Sequence, residues 1–246
     1  MKTRIIISAL ISIIAIPLTA QVTTPLPDRE GPEVGLSGDI VSSYIWRGQD
    51  LGNVSLQPTL GIGYKGFSLS AWGSVGLADS DDTKELDITA SYTIGGLNIG
   101  VTDYWFNKDG LDPEARYFKY DAHGTNHVFE ANIGYDFGFA SLQWYTNFAG
   151  NDGVNKDGKR AYSSYVEVAV PFKLATVDWT ATAGAIPWAT SFYNGWTSGF
   201  AVTNLSLKAT KEIKVTDSFS IPVFGQFVGN PRSQKAYLVF GFTLQP

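Results

Sequence analysis

From Val34 to Leu244 apolar and polar residues alternate with a period of two, in runs of about ten residues. Leu86, Ile88, Ala90, Tyr92 and Ile94 alternate with Asp87, Thr89, Ser91 and Thr93; Phe67, Leu69 and Ala71 alternate with Ser68, Ser70 and Trp72. Side chains two apart on a strand share a face, so each run has one apolar and one polar side. Twelve such runs can be counted, at about 34–47, 53–65, 67–77, 85–95, 97–106, 126–137, 140–148, 161–172, 175–186, 200–209, 218–228 and 236–244. Their length suits a tilted strand that crosses a bilayer. No run has convincing helical spacing.

The connections alternate too. Lys65-Gly66, Gly95-Gly96, Gly138-Phe139 and Lys173-Leu174 are tight turns, and 210–217 is a longer one. Between them lie polar loops at 48–52, 78–84, 107–125, 149–160, 187–199 and 229–235. Such alternation gathers the long loops at one end of the sheet and the turns at the other. A soluble sandwich or lipocalin-like barrel also alternates. Against it, the polar face is Ser, Thr, Gly and Asn, and charged residues are 17% of the chain against about 25% in ordinary soluble domains. Aromatic residues also cluster at both strand ends, as at the two lipid interfaces of a membrane barrel. The fold expected is all-β: a transmembrane antiparallel up-and-down β-barrel of about 12 strands. Pro58 and Pro222 fall inside strands, where each removes a ladder donor, and Asp103 falls on an apolar parity.

Lys2 and Arg4 precede an apolar run from Ile5 to Ile16, and Pro17-Leu18-Thr19-Ala20 offers a cleavage point before Gln21. This is the pattern of a secretory signal peptide over 1–20. Residues 21–33, with three prolines, read as a mobile periplasmic leader before the barrel at 34–246. The absence of Cys excludes a disulfide scaffold and a thiol nucleophile. A net charge of -5, about -7 without Lys2 and Arg4, argues against nucleic acid as a partner. Expected partners are outer-membrane lipid, lipopolysaccharide, the barrel-assembly machinery and small solutes, in the outer membrane of a Gram-negative bacterium. The oligomeric state is left open.

Ser42-Ser43-Tyr44-Ile45-Trp46-Arg47-Gly48, Gln57-Pro58, Ala71-Trp72-Gly73-Ser74 and Glu85-Leu86-Asp87 are the most distinctive strings in the chain. Through them the chain resembles the TorF-like family of outer-membrane porins, best over residues 36–106. The resemblance implies a pore role in the outer membrane and carries over no catalytic residues.

Twelve strands tilted by about 40° give a backbone radius of roughly 12 Å. The inward parity is mostly small residues, with bulk at Trp72, Tyr145 and Tyr165. It also collects Asp39, Asp87, Glu130, Glu167 and Asp178 against Arg47, Lys65 and Lys208. These residues are the pore-lining candidates for passive diffusion of small hydrophilic solutes. Carboxylates in a pore favour cations; paired with the basic groups, they would instead stiffen the wall of a closed-lumen barrel with a structural or surface role. Loop 187–199 carries Trp188, Phe192, Tyr193 and Trp196. It is a candidate for an inward constriction, for stacking on sugar rings, or for resting among lipid headgroups.

His123 and His127 are the two histidines. With Asp121 they raise a metal or acid–base reading, but Gly124 and Asn126 disfavour the helix that such spacing needs. A lipid-side Ser–His pair lacks an arguable Ser, so the chain is not read as an enzyme. The acidic loops 79–85 and 151–158 do not fit the calcium hand-loop pattern. Neither a metal nor another cofactor is expected.

Overall fold

The computed structural model describes residues 31–79, 81–107, 115–122, 124–193, 199–217 and 219–245. The signal segment, most of the leader, His123 and Trp196 lie outside them. Each alternating run forms a strand: β1 (Glu33–Val41), β2 (Tyr44–Trp46), β3 (Gln49–Gly52), β4 (Ser55–Tyr64), β5 (Phe67–Gly76), β6 (Lys84–Ile94), β7 (Leu97–Asn107), β8 (His127–Asp136), β9 (Ser141–Gly150), β10 (Ser164–Leu174), β11 (Val177–Ile186), β12 (Ala201–Lys214), β13 (Ser220–Asn230) and β14 (Lys235–Leu244). Every strand but β2 and β3 pairs with its neighbours in one closed antiparallel barrel of 12 strands. The ring closes where β1 pairs with β14, from Gly38 opposite Leu244 to Val41 opposite Gly241.

The barrel turns its apolar side outward. Leu36, Leu60, Ile62, Leu69, Ile99, Val101, Ile133, Leu205, Leu207, Leu238 and Phe240 are exposed on the outer wall. Their alternate neighbours face the lumen: Ser37, Gln57, Ser91, Asn98, Thr102, Gln143, Thr182 and Ser206 are buried there. An outward apolar band with a polar interior inverts a soluble barrel and matches the membrane kind.

The prolines sit where the ladder already lacks a partner. Pairing of β4 with β5 steps from Leu56 opposite Val75 to Thr59 opposite Trp72, which skips Pro58. Pairing of β13 with β14 starts at Val223, so Pro222 bonds only toward Glu212 on β12. In both places the missing N–H costs little.

Two boundaries depart from the sequence reading. β12 runs to Lys214, so the turn to β13 is shorter than 210–217. The first run does not continue as one strand to residue 47: β1 stops at Val41, and Tyr44–Gly52 folds back as a separate β2–β3 hairpin. Ser42 anchors that departure, its N–H bonding Phe240 O at 2.8 Å while its Oγ accepts from Phe240 N at 2.9 Å.

Candidate functional site

The β2–β3 hairpin leaves the wall at the long-loop end and turns into the lumen. Its two-residue turn is Arg47-Gly48, with φ of 50° and 80°. Positive φ at both positions suits a tight hairpin, and Gly48 meets it without a Cβ. A Cβ at Gly48 would collide with the carbonyl of Thr203 on β12. Asn230 on β13 donates its amide to Gly48 O at 2.9 Å. At the hairpin's base Asp82 accepts from Asn53 N at 3.1 Å and Asn53 Nδ2 at 2.9 Å.

From this tip the Arg47 side chain reaches the wall opposite β1. Its Nη1 and Nη2 donate to the two oxygens of Glu130 on β8 at 2.6 and 2.9 Å. Tyr104 on β7 donates to the same carboxylate at 2.8 Å. Arg47 Nη1 also donates to the Tyr193 hydroxyl. The guanidinium lies 4.1 Å from the ring centre of Tyr145, 4.5 Å from Trp46 and 4.8 Å from Tyr165. Arg47 and Glu130 are each 2% exposed. A planar cation out of water is thus held by a matching carboxylate fork and by aromatic faces.

Around this pair the hairpin's aromatic side chains pack against the wall. Tyr44 donates to Glu85 on β6 at 2.8 Å and lies 5.5 Å from Trp72 on β5. Trp46 packs against Tyr104 at 5.8 Å, Tyr193 at 5.8 Å and Phe192 at 6.0 Å between ring centres. Tyr165 on β10 donates to Glu167 at 2.6 Å, and Asn204 on β12 donates to Tyr165 Oη at 3.1 Å. In the half of the barrel nearer the long loops every barrel strand has a buried inward side chain: Val41, Ser55, Ser74, Glu85, Tyr104, Glu130, Asn147, Tyr165, Ile186, Asn204, Val228 and Val239.

Loop 187–193 packs against the hairpin, and its aromatic residues divide. Phe192 and Tyr193 turn inward, with Tyr193 fully buried; that burial pushes its phenol well above the ordinary value. Trp188 turns outward, 38% exposed and 5.9 Å from Trp144 between ring centres. Of the three placements open for this loop, the inward constriction describes Phe192 and Tyr193. The loop is fixed to 151–163 by Ser191 N to Val154 O at 2.9 Å and by Val154 N to Ser191 Oγ at 2.8 Å. In that second loop Asp152 accepts from Asn147 Nδ2 at 3.1 Å and Gly153 N at 2.7 Å.

The other candidates scatter along the barrel. Asp87 is buried on β6, facing Glu85. Asp39 accepts from Thr243 at 2.6 Å, and Lys208 Nζ lies 3.8 Å from the Phe224 ring centre. Lys65 is not in the lumen: it is an exposed turn residue with φ of 47°, its ammonium 5.1 Å from the Tyr64 ring centre. Asp178 keeps inward parity but stands at the short-turn rim, 65% exposed and 3.1 Å from Lys173. Arg47 points inward as expected, but from a hairpin turn rather than from the end of a wall strand. Glu85, Tyr104 and Asn204 were missed as lining residues; inward parity marks all three, and Glu85 also stands in the Glu85-Leu86-Asp87 string.

Asp103 and His127 meet on the outer wall, Nδ1 to Oδ1 at 2.7 Å. His127 Nε2 lies 2.6 Å from Tyr117 O, and the Tyr120 ring stacks on the imidazole at 4.2 Å. Both ring nitrogens are engaged, so this histidine fastens the 115–122 segment to the barrel wall. Asp103 on an apolar parity is explained by this partner.

No family model matches the chain, and no curated protein matches it in sequence. Solved structures of the barrel type do align. One is a porin refined at 1.8 Å, 12% identical, covering 87% of this chain and 100% of the porin with a TM-score of 0.38. The outer membrane protein OpdK of Pseudomonas aeruginosa is 14% identical over 89% of this chain and 68% of its own, with a TM-score of 0.37. The COG4313 outer membrane channel of Pseudomonas putida F1 is 13% identical over 89% and 98%, also at 0.37. The chain is a closed 12-stranded antiparallel barrel.

Proposed function

We propose that this chain is an outer-membrane channel of the porin kind, held shut at its outer mouth by the β2–β3 hairpin, and that small hydrophilic solutes pass when the hairpin withdraws. The observation that carries the reading is the seat of the hairpin inside the lumen, with Arg47 paired to Glu130, Tyr44 bonded to Glu85 and Asn230 bonded to Gly48 O. Below it the lumen wall is small and polar: Thr59, Gly61, Ser70, Thr89, Asn132 and Thr180 are half-buried, and Ser37, Ser91, Asn98, Gln143, Thr182 and Ser206 are buried.

The exposed apolar belt supports a membrane location, and the signal-like N-terminal segment supports export to the outer membrane. The resemblance to TorF-like porins agrees, and its aromatic-Arg-Gly string forms the hairpin itself. Withdrawal need not unfold the barrel, because β2 and β3 pair with each other and not with the wall strands. Trp46 Nε1 and Arg47 Nε are also buried without an acceptor among the described residues, which lowers the net stability of the docked state.

Liposome swelling tests the reading. Vesicles carrying the wild-type barrel should take up a neutral pentose slowly, and vesicles carrying a barrel with 43–52 replaced by a Gly-Ser linker should take it up fast. Equal slow uptake by both would overturn the channel reading and leave a closed barrel with a surface role.

A further inference from the structure

The pocket that holds Arg47 is built almost wholly from the wall. Glu130, Tyr104, Tyr145 and Tyr165 come from four consecutive strands, β7 to β10, and Tyr193 from the loop pinned above them. Among the groups that face the guanidinium, only Trp46 travels with the hairpin. When the hairpin withdraws, the pocket therefore stays in place and loses its occupant.

What it would then accept follows from its shape and charge. Two guanidinium nitrogens face two carboxylate oxygens at 2.6 and 2.9 Å, a match that a point-like ammonium cannot make. The Tyr145 and Tyr165 rings, at 4.1 and 4.8 Å, offer faces suited to a flat, weakly hydrated cation. Loss of Arg47 also leaves Glu85, Asp87, Glu130 and Glu167 as buried carboxyl groups on the lumen face of β6, β8 and β10, so the vacated mouth draws cations.

We propose that the wall pocket around Glu130 is a binding site for solutes bearing a guanidinium group, and that Arg47 is an internal occupant which such a solute replaces. The proposal rests on the hairpin being able to withdraw.

Titration calorimetry on the detergent-folded barrel, with butylguanidinium and butylammonium as probes of equal charge, tests it without any need for conduction. Arg47→Ala should bind butylguanidinium about tenfold or more tighter than butylammonium, and Arg47→Ala/Glu130→Gln should lose that preference. Wild-type protein, with its own occupant in place, should bind butylguanidinium about tenfold or more weakly than Arg47→Ala. Equal binding of the two probes, a preference that survives Glu130→Gln, or wild-type binding as tight as the variant's would each overturn the proposal. A heat-shifted band on a gel confirms folding, and Arg47→Gln takes the place of Arg47→Ala if the latter lacks it. A barrel that shows the preference yet never admits solute after hairpin replacement sinks the channel reading. One that admits solute without the preference sinks the pocket alone.

Discussion

Arg47 and Glu130 lie 83 residues apart in the chain, yet their side chains meet in the lumen as a two-point ion pair at 2.6 and 2.9 Å. One partner sits at the tip of a hairpin and the other on the wall facing it. Removing either leaves the other charge buried, at a cost of about 3–5 kcal/mol. Arg47→Ala and Glu130→Gln should each lower the urea midpoint of the detergent-folded barrel, and the double variant should lose much less than the sum. Additive losses would mean that the pair is not coupled.

Gly48 makes the turn that delivers Arg47, at φ of 80° and against the Thr203 carbonyl. Gly48→Ala adds both an unfavourable dihedral and a backbone collision, which together weaken docking by about 1–3 kcal/mol. The wall should hold, because nothing in its ladders depends on this residue. Pentose uptake should therefore rise while the heat-shifted gel band is kept; loss of the band would contradict this division.

The Tyr193 phenol is buried and held above its ordinary value of 10.0. When the hairpin withdraws the phenol loses its cover and ionises near that value, whereas beneath the docked hairpin it does not, so the docked state binds more protons above it. The stability that Tyr193 contributes is full below pH 10 and falls as pH rises beyond. Solute uptake should climb on the alkaline side in wild-type protein and climb less steeply in Tyr193→Phe. Identical profiles would remove Tyr193 from the closure.

On the outer wall the Asp103–His127 pair fastens the segment that carries Arg116 and Lys119. Loss of one charge-assisted bond costs about 1.5–3 kcal/mol locally. Asp103→Asn should speed trypsin cleavage after those two residues without changing solute uptake, and His127→Gln should do the same. A change in uptake would tie this segment to the mouth.

The barrel itself was legible because a strand's period of two is local: hydrophobic parity along β4 to β14 fixes which side faces out, whatever the partner. The inward placement of Asp87, Glu130 and Glu167 came from the same parity. The hairpin was not legible for the opposite reason. Tyr44 and Trp46 keep the even parity of Val34, Leu36 and Ile40, so the alternation runs through Ser42-Ser43 with no signal that the strand ends there. Arg47 has the same parity as Asp39, so its inward direction was anticipated while its position at a turn was not. What draws the segment into the lumen is contact with Glu85, Glu130, Thr203 and Asn230, each distant in sequence. Lys65 shows the converse limit: parity assigned it to the lumen, but a positive φ in the turn turns it out to solvent.

The central claim is that the hairpin closes an otherwise passable barrel. Single-channel recording in a planar bilayer tests it most directly, with wild-type protein compared with the barrel whose residues 43–52 are replaced by a Gly-Ser linker. The account predicts long closed periods with rare brief openings for wild type, and steady, cation-selective open levels for the variant. Steady open levels in wild type that the replacement leaves unchanged would contradict it.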